Sequence, residues 1–317
     1  MKRSITLLLA LLLPLGLLGA CGGDDDKNSA DADGDANPSA AVDADTSVKV
    51  TIGAQDFGES RILAEIYKQA LAEKGYTTSI HELGGNRATE LTAFEQKTIN
   101  FVPEYAASML EFVNNKKGEA TGDATATYEK LNTYLADKQL KAFRPSSAVD
   151  TNAFVVTKKT SDDLGIKTLS DLADKGKNLK IGAPADCETN PFCIPGLKST
   201  YGLDLAKNYT ALEPGPPIIA ALDAGSIQIA LLFSTDGTIK SKGYVLLEDD
   251  KHMLAADNVL PVVSKELSDA KGFESAVNAI TAKLTTDKLI DMNKRFDIDK
   301  EDAAVIAKDF LTDEGLL

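Results

Sequence analysis

Residues 51–75 read TIGAQDFGESRILAEIYKQALAEKG, and this stretch decides the fold. The residues that lead into it alternate apolar and polar side chains, which predicts a β-strand. A short polar loop follows. Apolar residues then recur at helical spacing up to Gly75, which lies where a helix C-terminal glycine is expected. The stretch therefore predicts a strand, a loop and a helix in that order.

The polar loop within this stretch is a candidate ligand site. In open α/β sheets, ligands bind outside the carboxyl ends of the strands. The loop carries Gln55, Asp56, Phe57 and Glu59 to that edge. The alternative is an ordinary strand-to-helix turn with solvated polar side chains, and the pattern alone leaves both interpretations open.

Residues 1–20 are a targeting segment rather than part of the fold. Lys2 and Arg3 precede an apolar run that is too short to stay in a membrane as a spanning helix. Small residues before Cys21 match a bacterial lipoprotein signal, in which that cysteine becomes the acylated N-terminus. We expect a lipid anchor on Cys21 that holds the protein to the outer face of the cell membrane. Plain secretion after cleavage near Ala20 is the alternative.

Residues 21–47 predict an acidic, disordered linker. Eight Asp and one Lys lie between residues 22 and 47, and such a segment buries too little apolar surface to fold. Of the formal net charge of -14, Lys2 and Arg3 contribute +2 and the linker -7, which leaves -9 for the body. An acidic body without a basic run argues against nucleic acid as a partner.

The body contains two cysteines, Cys187 and Cys193, which lie close together in the sequence. In an exported protein this spacing predicts a local disulfide. A redox or metal pair is the alternative, which the spacing and the presence of two histidines in the whole chain disfavour. The sequence also lacks HExxH, GxSxG and Gly-rich phosphate motifs, so it predicts no catalytic set, no metal site and no cofactor.

Strands and helices alternate along the body, which predicts α/β units with parallel sheets. Two apolar runs of β type, at 152–156 and 258–263, look like crossings between two lobes. We therefore expect two α/β lobes joined by two crossover strands. Residues 48–152 and 258–317 would form the first lobe and residues 153–257 the second, with the ligand cleft between them.

Two further motifs place aromatic, hydroxyl and acidic side chains where a predicted strand ends and a helix begins. They are FVPEYAAS at 101–108 and LLFSTDG at 231–237. Helix N-termini suit anionic and neutral groups, and aromatic faces suit quaternary ammonium groups. The candidate binding residues in these motifs are Tyr105, Phe233, Thr235 and Asp236. Core packing of the two aromatic side chains is the alternative.

Five motifs, in chain order, resemble the substrate-binding proteins of glycine betaine/choline/carnitine (osmoprotectant) ABC transporters. They are IGAQDFGESRILAE from Ile52, VPEY from Val102, FCIPGL from Phe192, FSTDG from Phe233 and LEDDK from Leu247. The resemblance implies a type II periplasmic-binding-protein fold with a quaternary ammonium ligand in an aromatic cage between the lobes. It also implies a closed complex that docks on an ABC permease, and a binding protein rather than an enzyme. We expect a monomer.

The resemblance carries over to individual positions. Tyr105 matches the family tyrosine after Pro-Glu and is the best cage residue. Phe233 falls where relatives often have Tyr, and Gln55 falls where many have a ligand-facing Lys. Arg87 falls where many have Thr after Gly-Gly, and Ile194 where some have a cage Tyr. Since the chain contains no Trp, the cage must consist of Tyr and Phe.

Arg87 separates two kinds of ligand. Its planar fork suits a carboxylate, so an Arg87 that faces the cleft predicts a zwitterion such as betaine or carnitine, with Gln55 as a second contact. An ion pair with Glu90 or Glu59 would make Arg87 structural, and choline or another ligand stays open. Two alternatives of class are a receptor for a different zwitterion, an amino acid or an oxyanion, and an exported enzyme on the same scaffold.

Overall fold

The computed structural model describes residues 44–84, 87–213 and 215–317, apart from the side chain of Asp186. The strands in these residues are β1 Lys49–Ala54, β2 Thr77–Glu82, β3 Phe101–Tyr105, β4 Leu140–Ala142, β5 Asn152–Val156, β6 Ile181–Ala183, β7 Tyr209–Ala211, β8 Ile229–Phe233, β9 Val245–Leu246 and β10 Val259–Ser264. The helices are α1 Gly58–Glu73, α2 Arg87–Glu95, α3 Ala106–Val113, α4 Ala124–Ala136, α5 Lys158–Leu164, α6 Leu169–Lys175, α7 Ile194–Tyr201, α8 Pro216–Asp223, α9 Gly237–Lys242, α10 Lys265–Asp269, α11 Phe273–Thr281, α12 Thr286–Asp297 and α13 Ala303–Asp313.

The strand, loop and helix predicted for residues 51–75 are confirmed as β1, a three-residue loop and α1. The chain leaves α1 through Gly75, whose φ of 90° lies in the left-handed region that favours glycine. The next N–H, of Tyr76, donates to the carbonyl of Leu71 at 3.1 Å and closes the helix end. The apolar face of α1 is fully buried, and each large aliphatic side chain on it contributes about 1.5–3 kcal/mol.

Two five-stranded sheets organise the body, one in the order β2-β1-β3-β10-β4 and the other in the order β7-β6-β8-β5-β9. β1, β2 and β3 are parallel, as are β6, β7 and β8. β10 and β5 run antiparallel to both of their neighbours. The prediction of parallel sheets is therefore wrong for β5 and β10. The chain enters β5 and β10 directly from the other sheet. A strand parallel to its predecessor in the same sheet would instead require a long crossover connection.

The two connections between the sheets run side by side. The chain passes from the first sheet to the second between β4 and β5, and it returns between β9 and β10. Val149 and Asn258 form an antiparallel bridge between these connections. The N–H of Asp150 also donates to the carbonyl of Asp257 at 3.1 Å. The two connections are thereby held to each other at the point where the sheets meet.

The C-terminal helices pack on the first sheet and also reach the second. Ile62 of α1, Phe273 of α11 and Leu289 of α12 belong to one buried apolar cluster. α12 also packs closely on α9, because a Cβ on Gly237 would lie 2.5 Å from the backbone nitrogen of Lys294. This contact places α12 beside the loop that follows β8.

Several predictions stay as predictions. The targeting segment 1–20, Cys21 and the linker up to residue 43 lie outside the described residues. The lobe boundaries at 48–152, 258–317 and 153–257 are untested as limits of two separate lobes. Among the described residues, no helix combines the length and the apolar character that crossing a membrane requires.

Candidate functional site

The loop after β1 and the first turn of α1 supply Gln55, Phe57 and Glu59. Phe57 is the N-cap residue of α1 and has an extended backbone, with φ -148° and ψ 159°. The N–H of Gln55 donates to Ser60 Oγ at 2.9 Å, which fixes the loop to the helix. This geometry buries Gln55 and Glu59 and leaves Phe57 38% exposed.

Glu104, in β3, is a fully buried carboxylate that accepts four hydrogen bonds. Arg87, at the start of α2, donates from Nε to Oε1 at 2.8 Å and from Nη2 to Oε2 at 2.9 Å. Gln55 Nε2 donates to Oε1 at 2.9 Å, and the N–H of Tyr105 donates to Oε2 at 2.8 Å. Burial lowers the pKa of Arg87, but the charge and hydrogen bonds of Glu104 outweigh that effect and raise it. Arg87 and Glu104 therefore form a tight bidentate ion pair.

Glu90, in α2, lies beside this pair. The Gln55 amide that contacts Glu104 also donates to Glu90 Oε2 at 2.9 Å, so one nitrogen joins two carboxyl groups. Burial and then the charge of Glu104 raise the pKa of Glu90 well above its ordinary value. Glu90 therefore favours its neutral form, because two adjacent buried carboxylates repel each other.

A second hydrogen-bond chain runs from Tyr105 to the second sheet. The Tyr105 hydroxyl donates to Glu59 Oε1 at 2.6 Å. Asn293 Nδ2, in α12, donates to Glu59 Oε2 at 2.5 Å and to the carbonyl of Thr235 at 3.0 Å. The N–H of Thr235 donates to Asp150 Oδ1 at 3.4 Å. The chain thus connects β3, α1, α12, the loop after β8 and the connection before β5.

Burial raises the pKa of the carboxyl groups in this second chain. It raises the pKa of Glu59 despite the hydrogen bonds that Glu59 accepts. Burial and then the charge of Glu59 raise the pKa of Asp150 well above its ordinary value. Asp257 accepts from the N–H and the hydroxyl of Ser108 at 2.9 and 2.5 Å. Burial raises the pKa of Asp257 to about 6. The region is therefore rich in buried carboxyl groups whose charged forms are disfavoured by burial.

Three aromatic side chains lie at or just after the ends of β1, β3 and β8. The rings of Phe57 and Tyr105 have centroids 6.3 Å apart and an interplanar angle of 32°. Tyr105 is 6% exposed, whereas Phe57 is 38% and Phe233 is 55% exposed. Exposed aromatic faces attract cations through their negative quadrupole, and the attraction grows when the cation is desolvated. Phe57 thus offers an open face near Tyr105, and Phe233 offers an open face at the end of β8.

The predicted binding residues divide into two groups. The hydrogen-bonded region just described includes Gln55, Arg87, Tyr105 and Thr235. Asp56 lies apart from it, because its side chain is 66% exposed and pairs with Arg61 at 2.6 Å. Asp236 caps α9 by accepting from the N–H of Thr238 at 2.7 Å. Ile194 is buried in the apolar cluster of the second sheet.

Arg87 forms an ion pair, but the partners predicted for it are wrong. Glu90 or Glu59 was the expected partner, and the structure gives Glu104. Glu59 is already bonded to Tyr105 and to α12, and Glu90 is bonded to the Gln55 amide. Glu104, near the end of β3, accepts from Nε and Nη2 of Arg87.

Four residues of this region were not predicted from the sequence: Glu104, Asp150, Asp257 and Asn293. Glu104 carried a signal, since it is the one charged residue in the otherwise apolar and aromatic run FVPEY. Asp150 and Asp257 lie in polar connections where acidic residues are unremarkable. Asn293 lies 234 residues from its partner Glu59, and no local pattern connects the two.

Cys187 and Cys193 have Cα atoms 5.2 Å apart, which is within the range for a disulfide. The bond itself stays a prediction. No group of His, Cys, Asp and Glu within residues 44–84, 87–213 and 215–317 is arranged to hold a metal ion.

Three surface cavities lie elsewhere on the described part of the chain. One of about 560 Å³ is lined by parts of α1, β2 and α13, and two of about 480 and 700 Å³ lie beside Lys265. Phe57, Tyr105 and Phe233 line none of them. The candidate site is therefore defined by its side-chain contacts.

Known proteins resemble this chain over most of its length. Residues 48–313 match the family described as the substrate binding domain of ABC-type glycine betaine transport system. A glycine-betaine-binding protein of Pseudomonas aeruginosa is 27% identical over 277 residues, which cover 84% of this chain and 88% of the relative.

Solved structures share the fold. The crystal structure of a glycine betaine/carnitine/choline ABC transporter protein superposes with a TM-score of 0.77 at 23% identity, covering 84% of this chain and 99% of the other. A lactococcal protein in a closed, liganded conformation with glycine betaine superposes with a TM-score of 0.54 at 14% identity, covering 84% and 96%. The two sheets described above thus form a type II periplasmic-binding-protein fold.

Proposed function

Because the chain belongs to the family of substrate-binding domains of ABC-type glycine betaine transport systems, we propose that it captures a quaternary ammonium compound beside Phe57, Tyr105 and Phe233. The family consists of solute-binding proteins that work with ABC permeases outside the cytoplasm, not of enzymes. One observation carries the proposal for this chain. Tyr105, at the end of β3, packs near Phe57 and donates to the buried carboxyl group of Glu59, and Phe233 ends β8 with an exposed side chain.

The aromatic and acidic groups have complementary roles in this proposal. A trimethylammonium group has no hydrogen to donate, so it is held by cation–π attraction, apolar contact and nearby negative charge. Phe57 and Phe233 supply exposed aromatic faces, and Tyr105 supplies a ring whose position is fixed by its hydrogen bond to Glu59. Gln55 and Arg87 are hydrogen-bonded to Glu104, and the carbonyl of Thr235 accepts from Asn293.

Isothermal titration calorimetry of the purified protein tests the proposal. The ligands are choline, glycine betaine and carnitine, with ectoine and arginine as comparison compounds. Saturable binding of at least one quaternary ammonium compound is expected. Binding of none of the three, by protein that shows a cooperative unfolding transition, would refute the function.

Two aromatic substitutions sharpen the test. Phe57→Ala and Phe233→Ala should each weaken binding by ~1–2 kcal/mol, or roughly five- to thirtyfold, if both rings contact the cation. Phe112→Ala is the matched control, because Phe112 is 36% exposed and lies at the far end of α3. Equal effects of all three substitutions would place the ligand elsewhere.

We further propose that the protein is a lipid-anchored monomer that delivers its ligand to a permease. The lipoprotein signal that precedes Cys21 supports the anchor, and Cys21 lies outside the described residues. Metabolic labelling with a fatty acid should mark the wild-type protein, and Cys21→Ala should abolish the label and release the protein into the medium. A labelled Cys21→Ala variant would contradict the anchor at this position.

A further inference from the structure

The positive charge of Arg87 is compensated by an ion pair with Glu104, which limits the ligands that the site can accept. Two of its donors lie on Glu104 at 2.8 and 2.9 Å, and the Glu104 side chain is fully buried. A ligand carboxylate that took these donors would displace a bidentate partner and leave a buried charge unpaired, which is strongly unfavourable. The bond to Glu104 therefore engages two of the five N–H donors of Arg87 and compensates its positive charge before a ligand carboxylate arrives.

The other charged groups of this region are carboxyl groups without a cation. Among the residues that the structure describes, no Lys, Arg or His forms an ion pair with Glu59, Glu90, Asp150 or Asp257. Their hydrogen-bond partners are hydroxyl and amide groups. Since the Arg87–Glu104 pair sums to zero, the region has an excess of acidic groups. A bound cation would stabilise the ionised forms of these groups, whereas a ligand carboxylate would oppose their ionisation.

An unpaired hydrogen-bond acceptor points the same way. Asn293 is 5% exposed, and its Oδ1 has no hydrogen-bond partner in the described part of the chain. Its Nδ2 donates to the carbonyl of Thr235, which only accepts, so the orientation of the amide is fixed. A ligand hydroxyl can donate to such an oxygen, whereas a carboxylate only accepts.

We propose that the site selects a quaternary ammonium alcohol over a quaternary ammonium carboxylate, and thus choline over glycine betaine. Glu104 determines this choice by holding the guanidinium of Arg87, and Glu59 is the carboxyl group beside Tyr105 whose ionised form a bound cation would stabilise. Glu104 is a positioning residue, because it acts through Arg87 and not by touching the ligand. This inference rests on the proposed function, since it concerns the same site.

Binding of a cation should also move protons. Burial raises the pKa of Glu59, the hydrogen bond from Tyr105 opposes this effect, and the charge of Asp297 adds to it. Asp150 interacts electrostatically with Glu59 and has a raised pKa as well. A bound cation favours the ionised forms of both carboxyl groups. Choline should therefore release protons to the solvent on binding, whereas net-neutral glycine betaine should release fewer.

The first experiment compares choline and glycine betaine on the wild-type protein by calorimetry at one salt concentration. Two buffers with different ionisation enthalpies report the protons released. Choline is expected to bind at least tenfold more tightly and to release more protons. Equal affinities, or tighter binding of glycine betaine, would overturn the inference and leave the proposed function standing. Failure of both ligands to bind would refute the proposed function itself.

The second experiment frees Arg87 with Glu104→Gln. Choline should then bind more weakly and glycine betaine more tightly, so that the ratio of their dissociation constants changes by about ten- to a hundredfold. General structural damage would weaken both ligands together. Parallel loss of affinity for both, in a variant with a cooperative unfolding transition, would therefore overturn the role of Glu104.

A third variant keeps the test usable if Glu104→Gln does not fold. Glu59→Gln removes the carboxyl group beside Tyr105 whose ionised form a bound cation favours, and it should weaken choline at least five times more than glycine betaine. Glu65→Gln is the matched control, because it makes the same substitution on α1 at a residue that pairs with Lys68. If Glu59→Gln affects the two ligands equally, the charge-based choice between them is refuted.

Discussion

Replacing Asp257 by Asn tests the electrostatics of the buried carboxyl groups. Asp257 lies in the return connection between the sheets, is 8% exposed and accepts two hydrogen bonds from Ser108. Burial raises its pKa from 3.8 to about 6, although the bonds from Ser108 and the charge of Arg87 act in the opposite direction. The amide introduced by Asp257→Asn would keep a carbonyl oxygen for the N–H of Ser108 but could not ionise.

The size of the effect follows from the pKa difference. Because the pKa is raised in the folded state, the folded protein retains this proton at pH values where the unfolded chain has lost it. The free energy of unfolding of the wild type therefore falls as the pH rises from about 4 to about 6. One pKa unit corresponds to 1.36 kcal/mol, so about two units correspond to about 3 kcal/mol. The stability of Asp257→Asn relative to the wild type should rise by about 3 kcal/mol between pH 4 and pH 8.

Urea unfolding of both proteins at pH 4, 6 and 8 measures this difference. Comparing each variant with the wild type at the same pH removes most of the titration of other groups. Asp56→Asn is the matched control, since the side chain of Asp56 is 66% exposed and pairs with Arg61. Its stability difference from the wild type should stay small across this pH range. A difference for Asp257→Asn that does not depend on pH would refute the raised pKa.

Two further substitutions test the body of the fold. Mass spectrometry of protein made by export should find no free thiol at Cys187 or Cys193, and two free thiols would contradict the disulfide. Replacing both by Ser should lower the free energy of unfolding by about 2 kcal/mol for so short a loop. Gly237→Ala should destabilise the protein by about 1–3 kcal/mol in urea unfolding through overpacking, because its Cβ would lie 2.5 Å from the backbone nitrogen of Lys294. Gly84→Ala is the control, since a Cβ there meets nothing within 4 Å; equal effects of the two would exclude close packing of α9 on α12 as the cause.

The local pattern of the sequence was enough for the elements that depend on neighbouring residues. The strand, loop and helix of residues 51–75 follow from alternation, helical spacing and a glycine with a φ of 90° at the helix end. The family also followed from the sequence, because its motifs are short and lie in a fixed order, and the match over residues 48–313 confirms it. Tyr105 could be named because it lies at the end of such a motif.

The tertiary structure decided the features that depend on distant residues. The antiparallel direction of β5 and β10 follows from how the chain passes between two sheets, which periodicity does not encode. The partner of Arg87 depends on which buried carboxylate the fold brings within reach of its guanidinium. That carboxylate is Glu104, which also accepts from Gln55 and from the N–H of Tyr105. Charge and hydrogen-bonding groups become a site when folding brings them within about 3 Å of one another in a dry interior. Sequence order alone does not specify that distance for residues that are 35, 49 and 234 positions apart.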